Sequence, residues 1–496
     1  MGYGQKSAIG FGWMFTSNAS VQVIRMATNM VLARLLVPDD FGAVALVLAF
    51  IAILQTFADL GMSVALVQRE KLTNLVIDSA FVASGFLTVF IVVAIWFSSG
   101  YIANFFEMPI LSGLFKITAF AYIFKGMFSF YRCLLLRELR YKAISAITFS
   151  AFFIGGAVSI ILAYLGHGAY SIVWGNLITA VVHLLVGVCI VKYVPGSFGN
   201  FEEMRRLFSF GMWVSLGRIM GQSAGKVDTF VIGKIVNAAA LGGYYLAQKI
   251  VLLIPSTYSR IIDQVMLPIY SKFQNEIDRV HDSYFKALSA TTIILLPSAC
   301  FVFLFADPLV RVFLGDQWLN VIPLVMIMSL YGVMRSLGGG VFAAIIFSLG
   351  KPKVATFANA VRMISLPGCV LVGSFWGVTG VAWGFGFYGI LGRVFNQWLL
   401  KHFFGFSLTR YVKVIFPASF SAAVATIPSF LICHYLVPGS VLNMIIWNMV
   451  AMIVWVVIYF VLIRLLAKKD LEYMWRISKP IFQKIFSKVM GKKKVS

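Results

Sequence analysis

Runs of about twenty apolar residues, separated by short polar turns, follow one another along almost the whole chain. A run of this length predicts a helix that crosses a membrane, because about 20 helical residues match the thickness of the hydrocarbon layer. The pattern predicts an all-α integral membrane protein with fourteen spans. The predicted spans are residues 11–36, 41–66, 79–98, 113–132, 144–165, 170–191, 208–235, 241–262, 285–306, 322–347, 354–375, 378–400, 412–432 and 442–465.

The composition supports a membrane protein, and the distribution of its positive charge is explained without a nucleic-acid partner. Of 496 residues, 60% are hydrophobic and only 12% are charged, whereas soluble proteins need about twice that charge to cover their surface. The net charge is +23, but Lys and Arg concentrate in alternate loops and in the C-terminal tail. The opposite set of loops holds Lys234 and Arg311 alone. This asymmetry is the positive-inside rule, and it predicts that both termini are cytoplasmic.

The sequence offers no place for catalysis. The longest outer loop, residues 307–321, is too short to fold as a domain, and the chain lacks P-loop, HExxH, GxSxG and DxD motifs. The five cysteines are solitary, which is typical of small packing residues and not of a metal site. We therefore expect a transporter and not an enzyme, with no bound cofactor or metal.

One stretch of sequence, in which a span ends, turns and leads into the next span, occurs twice, and we call each copy a corner. VLARLLVPDDFG at residues 31–42 returns as VIGKIVNAAALG at residues 231–242, and an offset of 200 aligns the spans before them. This predicts two pseudo-symmetric six-helix lobes of the same topology, residues 1–200 and 201–405, followed by two added spans in 406–466. The aligned pairs are Trp13 with Trp213, Gln22 with Gln222, Val31 with Val231, Arg34 with Lys234 and Gly42 with Gly242.

Polar residues recur inside the apolar runs at a spacing that places them on one face of a helix. Span 1 and span 7 each carry such a row, so the two repeats present polar, basic stripes at equal depth. Single cations lie in spans 4, 8, 10 and 11. The predicted substrate-binding residues are Asn18, Gln22, Arg25, Asn29, Lys125, Arg218, Gln222, Lys226, Lys249, Arg335 and Arg362.

Seven of these residues are deep cations, and only two clearly deep acids, Asp59 and Asp228, could neutralise them. A charge at the membrane centre costs about 2.5–3.5 kcal/mol, so the seven together cost roughly 20 kcal/mol. This excess predicts a water-filled cavity between the lobes that attracts an anion. Arg34, Lys234 and Arg393 lie near span ends instead, and we expect them to extend towards the lipid headgroups.

Net transport without a nucleotide site needs an ion gradient or removal of product. The deep groups that could take a proton or bind Na⁺ are Asp59, His183 and Asp228. These three residues are the candidates for coupling to an H⁺ or Na⁺ gradient.

The C-terminal tail, residues 467–496, is predicted to be a basic amphipathic helix on the cytoplasmic membrane surface. Cations alternate with apolar residues at close to helical spacing. The apolar residues are Leu471, Met474, Trp475, Ile481, Phe482, Ile485 and Val489.

Five stretches carry a family resemblance: ARLLVPDDFG at 33–42, FADLGMSVALVQRE at 57–70, VMLPIYSKFQNE at 265–276, FADPLVRVFLGDQW at 305–318 and SLGKPK at 348–353. They resemble the bacterial polysaccharide transporter (Wzx-type) family of the MOP superfamily. The resemblance runs from about residue 10 to residue 353. It implies a flippase that moves a polyprenyl-diphosphate-linked oligosaccharide across the cytoplasmic (inner) membrane by alternating access, for capsule, exopolysaccharide or O-antigen (lipopolysaccharide) synthesis.

The resemblance also implies contacts with membrane lipids and work beside a polymerase and other polysaccharide-assembly proteins. Its substrate suits the predicted cavity. A diphosphate presents negative charge and several acceptor oxygens, which Arg and Lys bind, while Asn and Gln suit sugar hydroxyls.

Three other functions are compatible with a chain of this kind. A multidrug extruder of the same superfamily would be expected to have twelve spans and an acidic or aromatic cavity. A glycan polymerase or ligase would be expected to have a long outer loop with catalytic residues. A lipid II flippase shares the diphosphate, and the sequence does not separate it from an oligosaccharide flippase.

Overall fold

A computed structural model describes residues 3–59, 74–138, 140–193, 196, 200–202, 204–205, 219–273, 276–338, 341–435, 441–472 and 474. Within these ranges the regular elements are helices, and the predicted all-α fold is confirmed. Twelve helices are long and apolar enough to cross a membrane, and they correspond one to one with predicted spans 2–6 and 8–14. The protein is a multi-pass membrane protein.

The helices follow the predicted order along the chain. Span 1 is a helix of 33 residues, and it ends at the predicted corner. In chain order the elements are α1 (Tyr3–Leu35), α2 (Pro38–Asp59), α3 (Asn74–Phe105), α4 (Ile110–Arg137), α5 (Tyr141–Tyr164), α6 (Ala169–Val191), α7 (Val227–Val231), a π-helix (Ile232–Val236), α8 (Ala238–Lys272), α9 (Ile277–Leu304), α10 (Ala306–Phe313), a 3₁₀-helix (Asp316–Val321), α11 (Ile322–Ser336), α12 (Val341–Ser348), α13 (Pro352–Ser374), α14 (Gly377–Phe404), α15 (Leu408–Tyr435) and α16 (Val441–Leu466).

The chain forms two compact units. Unit 1 contains Met1–Leu246, Arg311–Asn320 and Asn359–Val381. Unit 2 contains Ala247–Val310, Val321–Ala358 and Ala382–Ser496. Unit 1 thus includes the first repeat together with three segments of the second. The predicted division at residues 200 and 405 stays a prediction.

Small residues bring the helices of unit 1 close together. Side chains added at Gly155 of α5 and Gly175 of α6 would collide with Thr179 and Ser159 across the contact. In a membrane, where lipid competes for apolar surface, such close approach of backbones is a main source of helix association. This packing fixes the face that α5 presents to α1.

Predicted span 7 is not one continuous helix, which corrects the prediction. Residues 219–224 are helical, the chain then turns at Gly225 and Lys226, and α7 and the π-helix follow. Lys226 has φ −123° and ψ 0°, outside the helical region. Breaks and π-helices in spanning segments often mark functional sites. The sequence around the break, GQSAGKVD at residues 221–228, is polar, and its helical spacing predicts a stripe on a continuous helix.

Predicted span 10 is also divided, into α11 and α12. Gly338, with φ +112°, lies just after α11. The Nε of Arg393 donates to the carbonyl of Met334 at 3.3 Å, and the Tyr411 hydroxyl donates to the carbonyl of Leu337 at 3.0 Å. These side chains satisfy carbonyls that a continuous helix would have paired. The expectation that Arg393 extends to the lipid headgroups is therefore wrong.

The two added spans, α15 and α16, pack against α9 in unit 2. The Tyr459 hydroxyl donates to the carbonyl of Ile293 at 3.0 Å, and Asp470 accepts a hydrogen bond from Ser289 at 2.7 Å. Leu471 and Met474 pack on the same cluster, so these two residues do not face lipid as the tail prediction expected. Residues 475–496 of the predicted amphipathic helix lie outside the described residues.

Candidate substrate-binding site

Arg25 on α1 lies against an aromatic ring of a neighbouring helix. Its guanidinium carbon is 4.0 Å from the centroid of Phe152 on α5. One turn further along α1, Thr28 contacts Gly156 of α5, where a larger residue would hold the helices apart. The side-chain amide of Asn29 donates to the carbonyl of Arg25 at 2.6 Å. Because Gly156 lets α1 approach α5 closely, it sets the distance between Arg25 and the Phe152 ring.

Lys125 on α4 and His183 on α6 lie close enough to Arg25 for their charges to interact. The His183 ring stacks on Phe128, with centroids 4.7 Å apart, and meets Phe152 edge-on at 5.6 Å. Four helices of the first repeat thus bring basic and aromatic side chains to one place. We call Arg25, Lys125, Phe152 and His183 the Arg25 cluster.

The Arg25 cluster has the chemistry of an anion site. Arg25 is exposed and Lys125 is half-buried, and the two cations from different helices repel one another. An anion with several oxygen atoms would relieve it, because a guanidinium forms paired hydrogen bonds and an ammonium acts as a compact point charge. The cluster therefore suits a phosphate or diphosphate group.

A second basic group lies at the break in span 7. Asn359 and Arg362 of α13 face Gly221 and Gly225, and the Arg362 Nη2 is 3.4 Å from the place where a side chain at residue 225 would begin. Among the described residues, the buried Nε of Arg362 has no hydrogen-bond partner. Lys226 follows directly in the chain. We call Gly225, Lys226, Asn359 and Arg362 the span 7 break.

Asp228 is buried in the helix that follows this break. Its carboxylate accepts hydrogen bonds from the backbone N–H of Thr229 and from the Tyr244 hydroxyl, both at 2.8 Å. Tyr244 lies on α8, so the carboxylate ties α7 to the next helix. A role for Asp228 in ion coupling stays a prediction.

The remaining predicted residues divide between the two units. In unit 1, Gln222 is exposed and Gln22 is half-buried. In unit 2, Lys249 is exposed on α8. Arg335 lies in the last turn of α11, and its buried Nε lacks a hydrogen-bond partner among the described residues. Arg218 and the side chains of Asn18 and Asp59 lie outside the described residues.

Sequence reasoning missed the aromatic component of the Arg25 cluster. Phe152 stands in the apolar run SAFFIGG of span 5, which has no polar stripe to attract attention. The paired glycines at 155 and 156 are the available signal, since small residues in a spanning helix indicate a close helix contact. Such a signal locates a contact and not the cation that the neighbouring helix supplies.

The chain is similar to named proteins of bacterial surface polysaccharide synthesis. It is 24% identical over 412 residues to the lipopolysaccharide biosynthesis protein WzxC of Escherichia coli (strain K12), covering 82% of this chain and 84% of the relative. It is 22% identical over 485 residues to the succinoglycan biosynthesis transport protein ExoT of Rhizobium meliloti (strain 1021), covering 95% of both chains.

The fold has a close counterpart among solved structures. The lipid II flippase MurJ in its inward closed conformation superposes with a TM-score of 0.74 at 16% identity, covering 92% of this chain and 99% of that one. This likeness shows that the two proteins share a fold. The family described as polysaccharide biosynthesis protein matches residues 31–323, more than half of the chain, and the protein therefore belongs to this family.

Proposed function

We propose that this protein moves a polyprenyl-diphosphate-linked oligosaccharide across the bacterial cytoplasmic membrane, for assembly of a surface polysaccharide. The observation that carries the proposal is the Arg25 guanidinium held over the Phe152 ring inside a membrane protein, with Lys125 of another helix near enough for the two charges to interact. Membership of the polysaccharide biosynthesis family and likeness to a succinoglycan transport protein support the same substrate class.

The site residues have separate roles in this proposal. Arg25 and Lys125 bind the diphosphate, and Phe152 holds the Arg25 guanidinium in place from the side of α5. Gln22 and Asn29 on the same helix offer hydrogen bonds to sugar hydroxyls. The span 7 break supplies a second basic group, in which Lys226 and Arg362 bind anionic oxygens during another stage of an alternating-access cycle.

The positive-inside pattern predicts that both termini are cytoplasmic. In this proposal the substrate is loaded on the side of the termini and released on the opposite side. A polymerase that consumes the released substrate is the expected partner, because removal of product drives net transport. Coupling to an H⁺ or Na⁺ gradient through Asp59, His183 or Asp228 is the second driving force that we propose.

The alternative substrates make different demands on the site. A lipid II flippase fits the same cluster, and the likeness to MurJ keeps that substrate in view. A multidrug extruder that exports cations would face repulsion from Arg25 and Lys125. A polymerase would need a catalytic site that no motif indicates.

The test is a binding measurement on the purified protein in lipid nanodiscs. A ligand that binds the folded state raises the melting temperature, so polyprenyl diphosphate should raise it more than polyprenyl monophosphate or polyprenol. Arg25→Ala and Lys125→Ala should each remove most of this difference. Lys116→Ala is the matched control, because Lys116 lies on the same helix as Lys125 but faces the Trp96 ring, 5.6 Å from its centroid.

Equal stabilisation by all three lipids, or stronger stabilisation by a lipophilic cation, would contradict the proposal. In cells, a deletion strain should accumulate lipid-linked oligosaccharide, measured by mass spectrometry. The wild-type gene should clear this material and Arg25→Ala should not. The mass of the accumulated lipid separates an oligosaccharide from lipid II.

A further inference from the structure

The two repeated corners pack directly on one another in unit 1. A side chain at Gly42 would collide with the backbone carbonyl of Ala238, and one at Gly242 would collide with the carbonyl of Pro38. These two contacts exchange places under the same offset of 200 that aligns the repeats. Because the opposing atoms belong to backbone, neither side can move aside as a flexible side chain would.

A segment from the second repeat lies on the first corner. Residues 311–320 belong to unit 1, although the residues before and after them belong to unit 2. This segment was expected to be a loop, but it contains the end of α10 and a 3₁₀-helix. The ion pair between Arg311 and Asp316, at 3.2 Å, joins the end of α10 to the start of the 3₁₀-helix.

The segment satisfies the C-terminal carbonyls of α1, which have no partner within the helix. Trp318 is fully buried and its Nε1–H donates to the carbonyl of Ala33 at 2.7 Å. Gln317 donates to Ala33 as well and to the carbonyl of Leu36 at 3.3 Å. The Trp318 ring meets Phe41 edge-on, with centroids 5.5 Å apart.

The basic residue of each corner binds a loop of the other repeat. The Nη2 of Arg34 donates to the carbonyl of Val312 at 2.8 Å. Its counterpart Lys234 forms an ion pair with Glu107 at 2.7 Å, in the loop between α3 and α4. The expectation that Arg34 and Lys234 extend to the lipid headgroups is therefore wrong. The two contacts are related by the repeat symmetry, because the loops join corresponding spans.

We propose that Arg34, Glu107, Lys234, Gln317 and Trp318 form a latch that keeps the transporter closed at the membrane face opposite the N-terminus. The inference rests on the proposed function, since a flippase must open at this face to release its substrate. Opening separates the two corners, so it breaks the reciprocal glycine contacts and withdraws Gln317 and Trp318 from the end of α1.

The latch has a strong and a weak part. Trp318 contributes a buried ring and shares the Ala33 carbonyl with Gln317, so withdrawal of the segment exposes a polar group and an apolar surface together. The pair between Lys234 and Glu107 is exposed, and water screens it. The 311–320 segment therefore sets how often the latch opens, and the ion pair adjusts this frequency.

The test is labelling of a single cysteine from the outer side. Gln22→Cys is introduced on the polar face of α1 after the native cysteines at 133, 189, 300, 369 and 433 are replaced by serine. Right-side-out membrane vesicles then receive a membrane-impermeant maleimide. Trp318→Phe keeps the ring but loses the N–H, so we expect labelling to become several-fold faster. Gln317→Ala should act in the same direction.

Two charge-reversal variants show whether faster labelling comes from loss of the ion pair or from misfolding. Glu107→Lys and Lys234→Glu should each increase labelling, while the double variant should restore the original rate by reforming the pair. Asn320→Ala is the matched control, because this exposed residue at the end of the segment makes no side-chain hydrogen bond among the described residues.

Labelling rates in Trp318→Phe, Gln317→Ala and Glu107→Lys that match Asn320→Ala would overturn the latch. No lipid-linked substrate is added in this measurement, so failure of the latch can be distinguished from failure of the proposed substrate. Faster labelling in a protein that does not bind polyprenyl diphosphate would support the latch and contradict the substrate.

Discussion

The guanidinium of Arg25 lies over the ring of Phe152, 4.0 Å from its centroid. The negative face of an aromatic ring attracts a cation, and the attraction strengthens where the pair is removed from water. The same ring meets His183 edge-on at 5.6 Å. Phe152 therefore connects the basic residue of α1 to the histidine of α6, and it fixes the direction in which the guanidinium presents its donors.

Replacing Phe152 by leucine should weaken binding of polyprenyl diphosphate. A cation–π contact contributes about 0.5–2 kcal/mol, so its loss corresponds to roughly 2- to 30-fold in affinity. Phe152→Tyr keeps an aromatic face and should retain most of the affinity. Phe153→Leu is the control, because the adjacent Phe153 is 60% exposed and stacks on Phe149 instead. Equal affinity of the Phe152→Leu and Phe153→Leu proteins, measured by titration in nanodiscs, would contradict this role.

Asp40 should contribute to stability, whereas its neighbour Asp39 should not. Asp40 Oδ1 accepts the backbone N–H of Ala169 at 2.9 Å, at the start of α6, and Oδ2 accepts that of Val37 at 3.4 Å. Loss of a helix cap typically costs about 1 kcal/mol, so Asp40→Ala should lower the thermal unfolding midpoint. Asp40→Asn keeps one side-chain oxygen, so its thermal unfolding midpoint should lie between those of the wild type and Asp40→Ala. Asp39 is exposed, and Asp39→Ala should leave the midpoint within error.

The sequence predicted the parts of this fold that depend on the membrane itself. Twelve predicted spans correspond to helices because the thickness of the bilayer fixes both their length and their apolar character. The repeat offset also identified a real relationship, since Gly42 and Gly242 meet across the corner. For the candidate site, the sequence indicated the cations Arg25 and Lys125, because a charge is conspicuous inside an apolar helix.

The parts that the sequence did not predict depend on contacts between distant segments. Arg34 and Arg393 lie near span ends, where lipid headgroups and protein carbonyls are equally suitable partners. Their actual partners, the carbonyls of Val312 and Met334, belong to other helices or loops. Trp318 likewise has an ordinary place in an amphipathic segment, and only the fold reveals that it completes the end of α1.

Acid on the outer side should weaken the latch. The hydrogen bond and charge of Lys234 hold the pKa of Glu107 below its usual value of 4.5. The pair is therefore complete at neutral pH, and it is lost as the pH falls through the lowered pKa of Glu107 in the folded state. Because the thiolate is the nucleophile, the maleimide reaction itself slows in acid, so the rate of the Gln22→Cys reporter is divided by that of the same reporter carrying Glu107→Gln at the same pH. This ratio should rise towards one when the outer pH is lowered from about 7 to about 3.5.

Glu107→Gln supplies the control for this effect. Because the amide carries no charge, labelling in this variant should be faster than in the unsubstituted reporter at neutral pH, and acidification should affect it only through protonation of the reporter thiol. The same acid response in Glu107→Gln and in the unsubstituted reporter would assign the pH dependence to another group.

The span 7 break gives the sharpest test of the transport mechanism. If Lys226 and Arg362 bind one anionic group, each should fail when neutralised, because a hydrogen bond to a charged partner contributes about 1.5–3 kcal/mol. This corresponds to roughly a 10- to 150-fold loss of transport for Lys226→Ala or Arg362→Ala. The double variant should lose little more than either single one, since residues that share a partner are not additive. Arg140→Ala, at an exposed ion pair with Glu138, is the control.

Arg362→Lys distinguishes charge from geometry at the same position. The charge survives, but the fork of donors is lost, so transport should recover in part and remain below that of the wild type. The measurement is clearance of lipid-linked oligosaccharide in the complemented deletion strain, with protein level determined by immunoblot.

A double variant tests whether the Arg25 cluster and the span 7 break act at separate stages. If they do, Arg25→Ala combined with Arg362→Ala should lose more transport than either single variant. If Lys226→Ala and Arg362→Ala both clear lipid-linked oligosaccharide as the wild type does, the span 7 break has no part in transport.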